Sequence, residues 1–142
     1  MGIGKYILLG LGGFCAIGLV SAQFADPIPP EKDLEFGKSH FASQCEQLTR
    51  NRKINGRFGR GHAYCTCIMG ELETVLNTGD EFRYANALHD ASGSERWLLE
   101  KTRMKHDIDQ AREKFTPIIG PERIYSIDRD FFEMTVSCAR SM

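Results

Sequence analysis

The sequence predicts an all-α protein, a small bundle of about five helices stapled by two disulfides. Three observations carry that prediction. Apolar residues recur at steps of three, four and seven from Asp33 to the C-terminus, the period of helices that each bury one face. No segment alternates apolar and polar residues as a half-buried strand would. Cys45, Cys65, Cys67 and Cys138 follow a segment laid out like an export signal, and an even cysteine number in an exported chain implies paired thiols.

That leading segment is residues 1–22, read as a signal peptide. Lys5 precedes an uncharged run of 15 residues, Tyr6 to Val20, and Val20-Ser21-Ala22 sets small residues at −3 and −1 of a cut before Gln23. Cys15 leaves with it. A span of the membrane takes about 20 apolar residues, so membrane contact is expected only if the segment is retained. Residues 23–32 hold three prolines and no periodicity, which predicts an extended leader. Residues 33–142 then form a single helical domain. The chain contains no Asn-x-Ser/Thr sequon, so the expected address is periplasmic or secreted, with the periplasm favoured.

Within the domain, Leu34, Phe41, Cys45 and Leu48 share a face and predict a helix over 33–52. Residues 51–61, NRKINGRFGRG, hold three glycines and form a loop. Tyr64, Ile68, Leu72 and Val75 mark a second helix over 62–77, closed by Asn77-Thr78-Gly79. Asp80 caps a third, carrying Phe82, Ala85 and Leu88. Ser92 with Glu95 has the form of a capping box and opens a fourth, with Trp97, Met104, Ile108, Ala111 and Phe115 on one face. Pro117, Gly120 and Pro121 break it. Asp130 with Glu133 caps the last helix, whose face is Phe131, Met134 and Cys138, while Phe132 falls off that stripe.

The cysteine spacing constrains the connectivity. Two residues apart on a helix means about 200° apart around its axis, so Cys65 and Cys67 reach different partners. The second helix is then a post tied to the first on one side and to the last on the other. A hairpin turning near Arg57 favours Cys45–Cys67 with Cys65–Cys138 over Cys45–Cys65 with Cys67–Cys138. A thiol-redox or metal-binding reading of the same segment, with His62 ahead of Cys65 and Cys67, is the alternative. It is disfavoured because chelation needs converging sulfurs, and no C-x-x-C pair occurs. No metal and no cofactor is expected.

The charge pattern supplies the functional lead. The whole chain sums to −1, yet residues 50–62 carry Arg50, Arg52, Lys53, Arg57 and Arg60 with no acid. Residues 23–49 hold two basic against five acidic residues, and residues 63–142 hold ten against fourteen. A compact positive loop in an acidic domain, leading into a helix N-terminus, suits an anion. Phe58 between the arginines supplies an apolar anchor, and His62 follows directly. An exported, net-acidic chain with no recognition motif argues against nucleic acid. The expected partner is a protein or an anionic envelope component.

Catalytic motifs are absent: no G-x-S-x-G, H-E-x-x-H, Walker or G-x-G-x-x-G pattern occurs. His40, His89 and His106 fall on separate helices with no companion and read as surface or boundary residues. Asp107 with Asp109, and Asp128 with Asp130, lack calcium-loop spacing and read as caps or solvated faces. The expectation is a non-enzymatic, exported helical binding protein that presents its basic loop to an anionic partner.

Overall fold

A computed structural model describes residues 27–92 and 98–142. Its helices are α1 (Pro30–Thr49), α2 (Gly61–Val75), α3 (Gly79–Ser92), α4 (Leu98–Ile119) and α5 (Pro121–Arg140), with no strand among the described residues. The expected signal segment, Glu95 of the expected capping box and Trp97 lie outside the described residues.

Prolines set three boundaries differently from expectation. Pro30 is not leader but the first residue of α1. There its missing N–H is one of the unpaired donors anyway, and its fixed φ suits the helix. Pro117 does not break α4, which continues to Ile119. It stands exposed in the last turn, and the Gly120 N–H still closes on the Thr116 carbonyl at 2.9 Å. Gly120, at φ 96°, then turns the chain, and Pro121 opens α5. The last helix therefore starts nine residues before Asp130, and the buried stripe Ile124, Ile127, Phe131 and Cys138 runs its length.

Helix α3 occupies the centre, packing on α1, α4 and α5, while α2 bridges α1 and α5. Its sequence explains that position. Besides Phe82, Ala85 and Leu88 it buries Glu81, Tyr84 and His89, so more than one face turns inward. Phe41, Ile68, Leu72, Phe82, Leu88, Ile127 and Phe131 meet around it at 2% exposure or less.

The polar groups so buried are matched by partners on neighbouring helices. Tyr84 donates its hydroxyl to Asp128 Oδ1 at 2.5 Å, and Arg112 Nε donates to Asp128 Oδ2 at 2.7 Å, tying α3, α4 and α5 together. Asp128 is thus a buried acceptor and not the solvated-face residue its sequence context suggests. The neighbouring carboxylate and burial both hold the Tyr84 phenol protonated, burial being the larger effect. Glu81 accepts Arg123 Nε at 2.6 Å and the Asn77 N–H at 2.5 Å, and Arg123 also donates to the Val75 carbonyl. Burial pushes the Glu81 carboxyl up, but these donors outweigh it and bring it below the ordinary range. Arg83 of α3 links Asp33 of α1 to Asp80.

Two disulfides tie α2 to its neighbours, Cys45–Cys65 to α1 and Cys67–Cys138 to α5, each with Cα atoms 5.8 Å apart. The two-sided post is as expected, but the pairing is the other of the two connectivities. The hairpin closes where Gly61 lies against Thr49: a Cβ on Gly61 would stand 2.6 Å from Thr49 Oγ1. That contact centres the hairpin on Asn55, so Cys45, four residues before Thr49, faces Cys65, four after Gly61. A turn centred on Arg57 would have set residue 69 opposite Cys45, about one helical turn further along. In the chain-entropy model, loops of 20 and 71 residues stabilise the fold by roughly 3 and 4 kcal/mol.

Candidate anion-binding site

The hairpin loop is built on Asn55-Gly56. Both residues have positive φ, 49° and 76°, the arrangement of a tight I′ turn for which Asn-Gly is the favoured pair. Ile54 and Arg57 flank it and exchange both backbone hydrogen bonds, at 2.9 and 3.1 Å. Ile54 is 7% exposed and pins the turn to the body. The Arg52 N–H bonds the Thr49 carbonyl at 3.1 Å, continuing the last turn of α1. The loop is thus a short tongue closed by a single bridge rather than an irregular connection.

This tongue presents the charges at different depths. Arg50, Arg57 and Arg60 are exposed, Arg52 is half-buried, and Lys53 is exposed. None of the four arginines has an ion-pair partner among the described residues. Phe58 is 66% exposed at the tip, with Lys53 Nζ 5.0 Å above its ring centre, a cation–π contact that holds the ammonium beside the loop. Arg60 takes the N-cap position of α2 with no side-chain cap, and the first turn carries no acid. The positive end of the α2 dipole therefore adds to the arginines. His62 is brought to α1 instead: its Nδ1 meets Glu46 Oε1 at 2.8 Å.

The sulfurs of Cys65 and Cys67 leave α2 on different sides and are each committed to a disulfide. No thiolate remains in that segment for a metal or a redox cycle in this state. Among the described residues, no group of three or more His, Cys, Asp or Glu side chains could hold a metal ion. No helix of the described residues is long and apolar enough to cross a membrane.

Beneath the tongue lies a cavity of about 170 Å³, bordered among others by Thr49, Arg52, Lys53, Tyr64, His89 and Ser92. His89 is its unexpected member. It is 4% exposed, not the surface residue its isolation in sequence suggests. It stands seven residues after Phe82 on the buried stripe of α3, which is the signal that marks it as internal. Its ring packs edge-on against Phe41 and Phe131, and Nε2 lies 3.7 Å from Cys45 Sγ. A disulfide sulfur carries no hydrogen, so the proton of that contact belongs to Nε2. Burial first, and the Arg52 charge second, push the His89 pKa down to about 4. His40 and His106 are exposed, as expected.

No family model, curated protein or solved structure matches the chain.

Proposed function

We propose that this protein is an exported, non-enzymatic binding module whose disulfide-stapled helices present the residue 50–62 loop to an anionic partner, a protein or a component of the cell envelope. The observation that carries this reading is the set of arginines without ion-pair partners. Surface arginines beside an acidic domain ordinarily find carboxylates, as Arg83, Arg112 and Arg123 do here. Arg50, Arg52, Arg57 and Arg60 instead stand together on a tongue braced by a tight turn and by Cys45–Cys65. A rigid scaffold lowers the ordering cost of binding, and guanidinium forks match carboxylates and phosphates. Two disulfides suit an oxidising compartment, which supports export.

Charge reversal tests the reading. The double variant R57E/R60E changes exposed residues that touch nothing in the core. It is expected to lose retention on anionic vesicles and on acidic protein surfaces, while its circular dichroism and melting stay as in the parent. Parent retention should weaken as salt rises from 50 to about 500 mM, because the Debye length shrinks well below 10 Å. Retention that ignores both the reversal and the salt would rule the reading out.

A further inference from the structure

We propose that the exposed face of α5 is a self-association surface, on which a second copy of this chain docks its own α5 antiparallel. The inference is independent of the basic loop, which lies between α1 and α2.

The buried stripe of α5 uses Ile124, Ile127, Phe131 and Cys138. A second stripe, Tyr125, Arg129, Phe132 and Val136, runs along the helix at steps of four, three and four. That is the spacing of a coiled-coil seam, which a helix turns toward one partner helix. Tyr125 is 72% and Val136 48% exposed, and the Arg129 side chain is 64% exposed. Phe132, which falls off the core stripe, belongs to this one. It is half-buried, with its ring edge-on to Phe131 at 5.8 Å, so the core anchors it. Large apolar side chains in line on one helix, and not scattered singly, mark a contact surface.

The pattern is its own complement. A two-fold axis between Asp130 and Phe131 sets Tyr125 of one copy opposite Val136 of the other, and Arg129 opposite Phe132. The second pairing is a cation–π contact. Arg129 bonds Asp130 at 2.8 Å through the edge of its guanidinium, which leaves the planar face to stack. About the same centre, Glu122 in the first turn lies across from Arg140 in the last, offset by one residue. By helical angle both fall on the same flank of the seam. Both are exposed, and neither has an ion-pair partner among the described residues. A parallel arrangement would instead set Arg129 on Arg129 and Glu122 on Glu122. An apolar peptide or a lipid tail would put hydrocarbon against the Arg129–Asp130 pair.

The geometry has a consequence for the loop. Cys67–Cys138 ties the N-terminal half of α2, which follows the loop, to the C-terminal end of α5. In an antiparallel pair the two loops therefore stand at opposite ends of helices about 30 Å long. The dimer presents two basic loops where the monomer presents one.

Sedimentation velocity of the purified disulfide-bonded protein, from about 5 μM to about 1 mM, tests the proposal. A single-helix interface is small, so the expected dissociation constant is on the order of 100 μM. V136E and Y125E should each weaken it roughly tenfold, since each places a carboxylate in an apolar contact made twice. E122R and R140E should each weaken it about threefold. The double variant E122R/R140E, which restores both pairs with exchanged signs, should return to within about twofold of the parent. Glu122 and Arg140 also suit the α5 dipole, so melts of dilute samples separate monomer stability from association. A protein that stays monomeric throughout, a dimer indifferent to V136E and Y125E, or a double variant no better than its singles would overturn the proposal. A marked drop in dilute melting for both V136E and Y125E would do so too, because the face would then be covered within the chain. R57E/R60E should dimerise as the parent does, and a dimer that it abolishes would place the contact on the loop instead.

Discussion

Protonating His89 places a charge between Phe41, Phe131 and a disulfide, which the fold resists. Its folded pKa of about 4 lies below the ordinary 6.5, so between those values the unfolded chain binds more protons. Stability from this residue is complete above pH 6.5 and is lost as pH falls toward 4. A shift of this size corresponds to up to about 3 kcal/mol. Thermal melts should therefore fall steadily from pH 7 to 4.5 in the parent and fall much less in H89Q. Glu81, held below its ordinary range by Arg123 and the Asn77 N–H, extends the loss to lower pH. A parent that melts identically at pH 7 and 4.5 would contradict this account. These residues are also where sequence was least informative. His89, Glu81 and Asp128 are polar, and a polar residue on an amphipathic helix reads as solvent-facing. For Glu81 and Asp128 only the partners reverse that reading, and Arg112, Arg123 and Tyr84 come from other elements 16 to 44 residues away.

The α1–α2 hairpin depends on how closely its two ends approach. Gly61 abuts Thr49 so tightly that an alanine there would meet Oγ1 at 2.6 Å, Cβ at 3.0 Å and the carbonyl at 3.1 Å. G61A is expected to destabilise by about 2 kcal/mol, the usual cost of overpacking. Adding T49A should recover only part of it, because the Thr49 Cβ and carbonyl stay in place. Chemical denaturation of the parent, G61A and T49A/G61A measures this, and an undisturbed G61A midpoint would show that the ends do not meet so closely. The elements themselves were largely legible in sequence. The apolar stripes of α1 to α3 lie where periodicity put them, because helical burial is a local pattern. The misjudged boundaries involve proline, whose effect depends on whether it opens a helix, as at Pro30 and Pro121, or lies in an exposed last turn, as at Pro117. The cysteine pairing hinged on one dipeptide. Asn55-Gly56 marks the turn, and centring the hairpin there instead of near Arg57 aligns Cys45 with Cys65.

Across the molecule, the all-helical class and the two-sided tethering of α2 were readable from spacing alone, since a C-x-C pair on a helix must diverge. The placement of α3 at the centre was not, because it follows from several faces burying together and sequence shows one stripe at a time. The basic tongue was visible as a charge run, but its depth was not. Arg52 is half-buried at the cavity wall while Lys53, Arg57 and Phe58 are exposed, with the Lys53 ammonium over the Phe58 ring.

The two disulfides also fix the covalent topology of the chain. Residues 45–65 and 67–138 form two closed rings that share no residue and are joined through Thr66 alone. Thr66 lies inside α2, with its hydroxyl on the His62 carbonyl, so the single link whose scission would part the rings is held in regular helix and not in a loop. A single trypsin cut, after the exposed Arg57 or Arg60, should open the first ring without releasing a fragment. On a non-reducing gel the clipped protein should run as one species, and on a reducing gel as two. A molecule cut at this loop would thus persist as an intact body, carrying a severed tongue on an unbroken frame.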